Sequence, residues 1–340
     1  MKDRTLTLST APTPRTCLHA LALLLALVGC NEQLDAGSNR PHGLLPVDER
    51  SPVIITNDGA YDNWGGEYAV LLANGGGAPL AGIIVSASPA WPDIDTNIIG
   101  WRRLVKAARQ SGLHGIPNPT TSINARLVMP TSGKVEDTQP NGSEGAWQIV
   151  NLSAQLALPY RPVVVATGGS LTDVADAYLL DPSVVDRVVV VSSLGALTAP
   201  GAAMGVPNGE MDTWADLIVA TRFRYVQVSA FYDELADVPD SRLSELPANA
   251  LGDWMRAKQP KILQMAVASD QVSLLAASLP GFATAVQSVS VGPTPTSSSN
   301  AGPELTLAAS GSDLLVTGSA GALASARLWE LLLTPSTFSK

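Results

Sequence analysis

The stretch Val163-Val164-Val165-Ala166-Thr167-Gly168-Gly169-Ser170-Leu171-Thr172-Asp173 reads as a strand, a tight turn and the start of a helix. Its opening run of Val and Ala suits a strand buried on both faces of a parallel sheet. Gly168-Gly169 turns the chain, the pattern from Leu171 to Leu180 is helical, and a second apolar run follows from Val188 to Ser192. No Lys follows the two glycines, so the turn lacks the cation of a phosphate-binding P-loop. The same alternation extends outward. Val53 to Thr56, Leu80 to Val85 and Tyr225 to Val228 predict further strands. Helical patterns cover Glu67 to Ala73, Thr96 to Gln110, Glu144 to Leu156, Thr213 to Ala220 and Ala322 to Leu333, with Ser111-Gly112 as a stop signal. Repeated βα units predict a single α/β domain, a doubly wound, mostly parallel sheet flanked by helices in the Rossmann-like manner. In such sheets ligands bind outside the carboxyl ends of the strands.

The chain has 340 residues, 46% hydrophobic and 15% charged, which is ample for a large core and excludes disorder and a coiled coil. With 21 Lys+Arg against 30 Asp+Glu the net charge is -9, which argues against a nucleic-acid partner. Cys17 and Cys30 are too few for a disulfide framework, and His19, His42 and His114 are the histidines.

Lys2, Arg4 and Arg15 precede an apolar run from Leu18 to Val28, too short to span a bilayer, that ends in Leu27-Val28-Gly29-Cys30. This segment resembles a bacterial lipoprotein signal peptide. The resemblance implies cleavage after residue 29, lipid on the Cys30 thiol, and a protein anchored in the bacterial cell envelope, at the periplasmic face or the outer membrane. Removing residues 1–29 takes away three cations and one anion and moves the charge from -9 to -11. From residue 30 to Ser51 the chain is polar and broken by Gly37, Pro41, Gly43 and Pro46, which reads as a tether, with the folded domain spanning 52–340. Gly292 to Pro303 reads as a surface loop within that domain.

Polar residues gather after the predicted strands. Thr56-Asn57-Asp58-Gly59-Ala60-Tyr61-Asp62-Asn63-Trp64-Gly65-Gly66 packs two carboxylates and two amides beside glycines, a composition that fits either a hard cation or a solvated turn. Together with Gly82 to Ser86, with the quoted Thr167 to Asp173 segment, with Asn208 followed by Asp212, and with Val267-Ala268-Ser269-Asp270, this loop resembles the inosine/uridine-type nucleoside hydrolases. The matches run collinearly over about residues 52–335, with Leu328-Trp329 in the expected C-terminal helix.

That resemblance implies one Ca²⁺ held by Asp58, Asp62, Asn63, the Thr167 main-chain carbonyl and Asp270. It implies Asp58 as the base that takes a proton from a water attacking C1′ of a riboside, and Asp62, Asn208 and Asp270 as holders of the sugar hydroxyls. Trp64 and Trp91 follow strand ends and are candidates to stack on the base, with core packing as the plainer alternative. Several positions depart from the family. Asn63 stands where a second consecutive Asp is usual, Thr56 replaces an Asp, and Ala87 an Asn; Ser269 occupies a place that is His in some members, and Val206-Pro207 replaces residues that bind the 5′-hydroxyl. Three functions are therefore expected from the sequence: a Ca²⁺-dependent hydrolase of ribonucleosides or related ribosides, a riboside- or sugar-binding lipoprotein that has lost turnover on the same fold, or an envelope protein whose fold serves protein contacts alone. The partners implied are a small nucleoside or riboside and the membrane, through lipid on Cys30, with association into a homo-oligomer left open.

Overall fold

The structure is a computed structural model that describes residues 43–60, 66–67, 69–71, 79–88, 91–123, 125–193, 208–228, 240–258, 271–293 and 305–339. The predicted strands appear as β1 (Val53–Asn57), β2 (Leu80–Val85), β4 (Val163–Gly168), β5 (Val188–Ser193) and β6 (Arg224–Val228). To these the structure adds β3 (Pro119–Thr121), β7 (Ala283–Pro293), β8 (Leu305–Ala309) and β9 (Asp313–Ser319). All pair in one sheet, in the order β3-β2-β1-β4-β5-β6-β9-β7-β8. From β3 to β9 every pairing is parallel, while β7 runs antiparallel to both β9 and β8.

Alternation along the strands builds two cores. Ile55 of β1 and Val164 and Ala166 of β4 share one face with Trp101 and Leu104 of α1 (Ile94–Gln110), Met255 of α5 (Ala250–Lys258), Leu275 of α6 (Gln271–Ser278) and Leu328 of α7 (Gly321–Leu333). Ile54, Val163 and Val165 face the other way, onto Ile149 of α2 (Glu144–Leu156), Val174 of α3 (Thr172–Leu180) and Trp214 of α4 (Thr213–Arg222). Each such fully buried aliphatic contributes about 1.5–3 kcal/mol, so covering both faces sustains the long parallel run.

Capping explains the helix ends. Helix α1 begins two residues before the expected Thr96 because Asp93 accepts the N–H groups of Asp95 and Thr96. It stops at Ser111, where Gly112 takes φ +97° and a Cβ would lie 2.0 Å from the Phe338 carbonyl oxygen, so only glycine fits. The sequence pattern places the domain start at Pro52, but Leu45 and Val47 are already buried in the first core. Gly292 and Pro293, expected in a loop, end β7 and pair with Thr306 and Leu305. The rest of that loop lies outside the described residues, as do Leu72 and Ala73 of the helix expected from Glu67. Among the described residues no helix is long and apolar enough to cross a membrane.

Among the described residues one ion pair sits wholly inside. Lys258 Nζ donates to Glu67 Oε1 (3.1 Å) and Oε2 (3.0 Å), and Trp254 Nε1 donates to the same carboxylate at 2.9 Å. Both charged side chains are 0% exposed, and the pair ties the helical residues that follow the Asp-rich loop to α5. Removing one partner leaves a buried charge without its counterion, so Lys258→Met is expected to cost about 3–5 kcal/mol. The double variant Glu67→Gln/Lys258→Met should recover most of that loss in urea unfolding at pH 7. A single variant as stable as the wild type would show that the pair is no lock.

Candidate active site

Strand order places the site. The chain steps from β1 outward to β2 and β3, then returns to lay β4 on the other side of β1, so the direction of winding reverses between β1 and β4. In-register pairing sets Thr56 beside Thr167 and Asn57 beside Gly168, bringing the carboxyl ends of the two strands level. Crevices of this kind are where open α/β sheets bind ligands.

Asp58 follows β1 directly and is 2% exposed, with Gly59 N–H donating to its Oδ1 at 2.7 Å. Asn57 Nδ2 reaches the Gly168 carbonyl at 3.5 Å, and Ser86 N–H bonds the Asn57 carbonyl at 2.9 Å, which joins the exits of β1, β2 and β4. A Cβ on Gly169 would lie 3.2 Å from Ser86 Oγ and 3.7 Å from the Asp58 nitrogen, so these three exits touch. Asn97 of α1 holds the β2 exit from below, donating to the carbonyls of Ser86 (3.0 Å) and Trp91 (2.9 Å). The Trp91 indole lies flat against Gly59, where a Cβ would come within 2.6 Å of the ring. Three buried hydroxyls at these strand ends, Thr56 Oγ1, Thr167 Oγ1 and Ser86 Oγ, find no hydrogen-bond partner among the described residues. Buried polar groups left this way are uncommon and concentrate at sites of function.

At the exits of β2 and β4, the strands that flank β1, opens a cavity of about 250 Å³ lined by Ser86, Ala87, Ser122, Arg126, Thr172 and Asp173, among others. Its most buried charged group is Asp173, 2% exposed, which accepts the Ser143 hydroxyl at 2.6 Å and shares the cavity wall with Ser122. Burial pushes this carboxyl up to about 6, outweighing the Ser143 hydroxyl that favours its ionised form, and Asp176 pushes in the same direction. Asp176 itself accepts three backbone N–H groups, from Asn141 (2.7 Å), Gly142 (3.2 Å) and Ser143 (2.9 Å), and so shapes the turn into α2. Asp212 likewise holds structure. It caps α4 through Ala215 N–H (3.0 Å) and accepts Leu127 N–H (2.9 Å) and the Thr172 hydroxyl (2.8 Å). Burial raises its carboxyl above the usual range, with those three bonds opposing.

Of the residues singled out from sequence, Asp58, Thr167 and Trp91 come together at the exits of β1, β2 and β4. Trp91 packs on the Gly59 backbone rather than into the cavity. Asn208 is buried and donates its amide to the Ser193 carbonyl at 2.9 Å, beyond the end of β5. Asp62, Asn63, Trp64, Asp270 and Cys30 lie outside the described residues. Among the described residues no group of three or more His, Cys, Asp or Glu is gathered as for a metal. Sequence reasoning passes over Asp173, Ser122 and Ser143. The available signal is the acid at 173, in a segment whose family counterpart ends in Asn.

At the sequence level no protein-family model and no curated protein matches the chain. Solved structures do. An inosine-uridine preferring nucleoside hydrolase from Bacillus anthracis superposes with a TM-score of 0.57 at 13% identity, covering 84% of this chain and 99% of its own. A purine-preferring ribonucleoside hydrolase from Gardnerella vaginalis gives 0.58 at 13%, over 83% of this chain and 99% of its own. A plant nucleoside hydrolase gives 0.56 at 14%, over 84% and 99%. The chain therefore has the nucleoside hydrolase-like α/β fold.

The raised Asp173 carboxyl carries a testable cost. A folded-state value above the ordinary one means that its contribution to stability is fully present below about pH 4 and is lost as the pH rises through about 6. Asp173→Asn, which cannot titrate, should gain on the wild type between pH 4 and 7.5, by up to about 3 kcal/mol. Urea unfolding of both proteins at the two pH values measures the change, and a difference independent of pH would contradict the raised value.

Proposed function

We propose that the protein hydrolyses the N-glycosidic bond of ribonucleosides or related ribosides. The observation that carries this reading is a buried aspartate, Asp58, at the winding reversal of a nucleoside hydrolase-like sheet, between two strands whose exits line a polar cavity. A water placed against Asp58 can give up its proton to the carboxylate as its oxygen bonds to C1′. The bond to the base breaks through an oxocarbenium-like state, as in glycoside hydrolysis generally. Asp62, Asn208 and Asp270 are proposed to bind the sugar hydroxyls, which would favour ribosides over deoxyribosides, since a missing hydroxyl leaves buried polar groups unpaired.

Ca²⁺ is the cofactor proposed, and donor chemistry supports it. Asp58 follows β1, whose Thr56 lies level with Thr167; the Thr167 carbonyl, Asp62, Asn63 and Asp270 would complete with it an all-oxygen set suited to a hard cation. When bound, the cation supplies positive charge that acidifies the attacking water and fixes the sugar hydroxyls. A lipid on Cys30 would hold the protein in the bacterial envelope. In that case Cys30→Ser moves it from the membrane to the soluble fraction, and unaltered fractionation would refute the anchor.

A second reading is a riboside-binding protein without turnover, and one observation favours it: Ala87, not an amide, lines the cavity after β2. Hydrolysis of inosine, uridine and a nitrophenyl riboside, assayed with Ca²⁺ and with chelator on a soluble form beginning at Asn31, separates the two. The enzyme reading expects ribose release that Asp58→Asn lowers by about 10²–10⁴-fold. Half-activation by Ca²⁺ should fall near 10⁻⁴–10⁻³ M, on the order of extracellular sites, because Asn63 removes a carboxylate. Silence from both the wild type and Asn63→Asp, with ribosides still raising the melting temperature, would establish the binder.

A further inference from the structure

We propose that Asp173 is the acid that protonates the departing base, so that the substrates are ribosides whose leaving group carries a basic nitrogen or oxygen. This rests on the riboside-hydrolase reading above. Three observations carry it.

The first is a gap. The place that is His in some members of the family holds Ser269 here, and His114, after α1, is exposed and does not line the cavity. An acid, where one is needed, must come from another side chain.

The second is position. Asp173 lines the cavity together with Ser86, and Ser86 Oγ lies against the Gly169 turn that also touches the Asp58 amide. A riboside with C1′ near Asp58 can therefore extend its base toward Asp173. The acid and the base of the reaction would then stand on opposite sides of one scissile bond.

The third is chemistry. Asp176 accepts three backbone N–H groups, and Asp212 two beside the Thr172 hydroxyl, so both tie a turn or a helix start in place. Asp173 accepts instead the Ser143 hydroxyl at 2.6 Å, and Ser122 shares the cavity wall with it. A hydroxyl rotates, so it can donate to a carboxylate or accept from a carboxylic acid, and Ser143 can support both states that a proton donor must pass through. Helix α2 does not need the acid, since Ser143 caps it through Ala146 N–H at 2.9 Å and Asp176 orders the preceding turn. An asparagine at 173 would serve the fold as well. Burial holds the carboxyl up to about 6, where both forms are populated near neutrality. The charged groups around it are Asp176 on its own helix, Arg126 at the cavity wall after β3, Asp212 at the start of α4 through Thr172, and the exposed Glu144 in the first turn of α2.

In the step, the C1′–N bond breaks with its electron pair passing to the base, which takes the proton of Asp173. The water oxygen bonds to C1′ and its proton passes to Asp58. Riboside and water become ribose and free base, and solvent returns the proton from Asp58 to Asp173.

The test is kcat/KM against pH for the full chain on a nucleoside and on a nitrophenyl riboside, whose phenolate leaves without a proton. The nucleoside profile should fall tenfold per pH unit above about 6, and the nitrophenyl profile should lack that limb. Asp173→Asn should lose about 10²-fold or more on the nucleoside. Its loss on the nitrophenyl riboside should be at least tenfold smaller, and Asp173→Glu should restore part of the nucleoside rate. The wild-type comparison holds even where a variant fails to fold. If the wild type cleaves both substrates with the same alkaline limb, or Asp173→Asn lowers both rates in parallel, the Asp173 assignment falls and the hydrolase reading stands. A wild type that cleaves neither removes the reading and the acid together.

Discussion

The register of β1 against β4 governs the site. A parallel ladder gives each strand end only the neighbours its register allows, and here it sets Thr56 level with Thr167 and Asn57 level with Gly168. A shift by one residue would turn Asp58 toward the opposite face of the sheet. What prevents the shift is burial on both faces: Ile54 and Val165 belong to one core, Ile55 and Ala166 to the other, so any slip would exchange side chains between two packed layers. The precision of a polar site thus derives from apolar packing several ångströms below it.

That division of labour explains what could be read from the sequence. The buried strands announced themselves because residues hidden on both faces must be apolar, as in Val163 to Ala166 and Val188 to Ser192. The antiparallel extension did not. Strand β7, Ala-Thr-Ala-Val-Gln-Ser-Val-Ser-Val-Gly-Pro, alternates small and polar residues near a sheet edge, where one face needs no apolar cover, and it resembles a loop until its partner is known. Strand β3 has three residues and begins with proline, tolerated because the strand lies at the sheet's end. Asp58 and Thr167 were legible because they follow recognisable strands. Asp173 was hidden because its significance lies in what surrounds it: Ser122 and Ser143 come from distant segments, and nothing local marks them as its neighbours.

The buried carboxylates show why composition alone does not assign roles. Asp173, Asp176 and Asp212 are all nearly inaccessible, and two of them lie within one helical turn. Their donors distinguish them. A backbone N–H is fixed in place and cannot accept, and the N–H groups on Asp176 and Asp212 tie those carboxylates to a turn and to a helix start. The Ser143 hydroxyl imposes no such choice on Asp173. Desolvation raises the Asp173 and Asp212 carboxyls alike, so position at the cavity, not the shift, separates Asp173 from its neighbour.

The departures at the first loop are coherent under the same view. Thr56 and Asn63 stand where the nucleoside hydrolase pattern has aspartates, so a cation held at this loop as proposed would lose Coulomb attraction while keeping oxygen donors. In a compartment where free calcium is scarce such a site would stay empty. A chain anchored by Cys30 outside the cytoplasm would meet calcium at far higher levels, where a weaker site suffices and fewer buried carboxylates need be kept apart. The proposed anchor and the proposed site would then answer to one constraint, since a weakly charged site could hold the cation only where the cation is abundant.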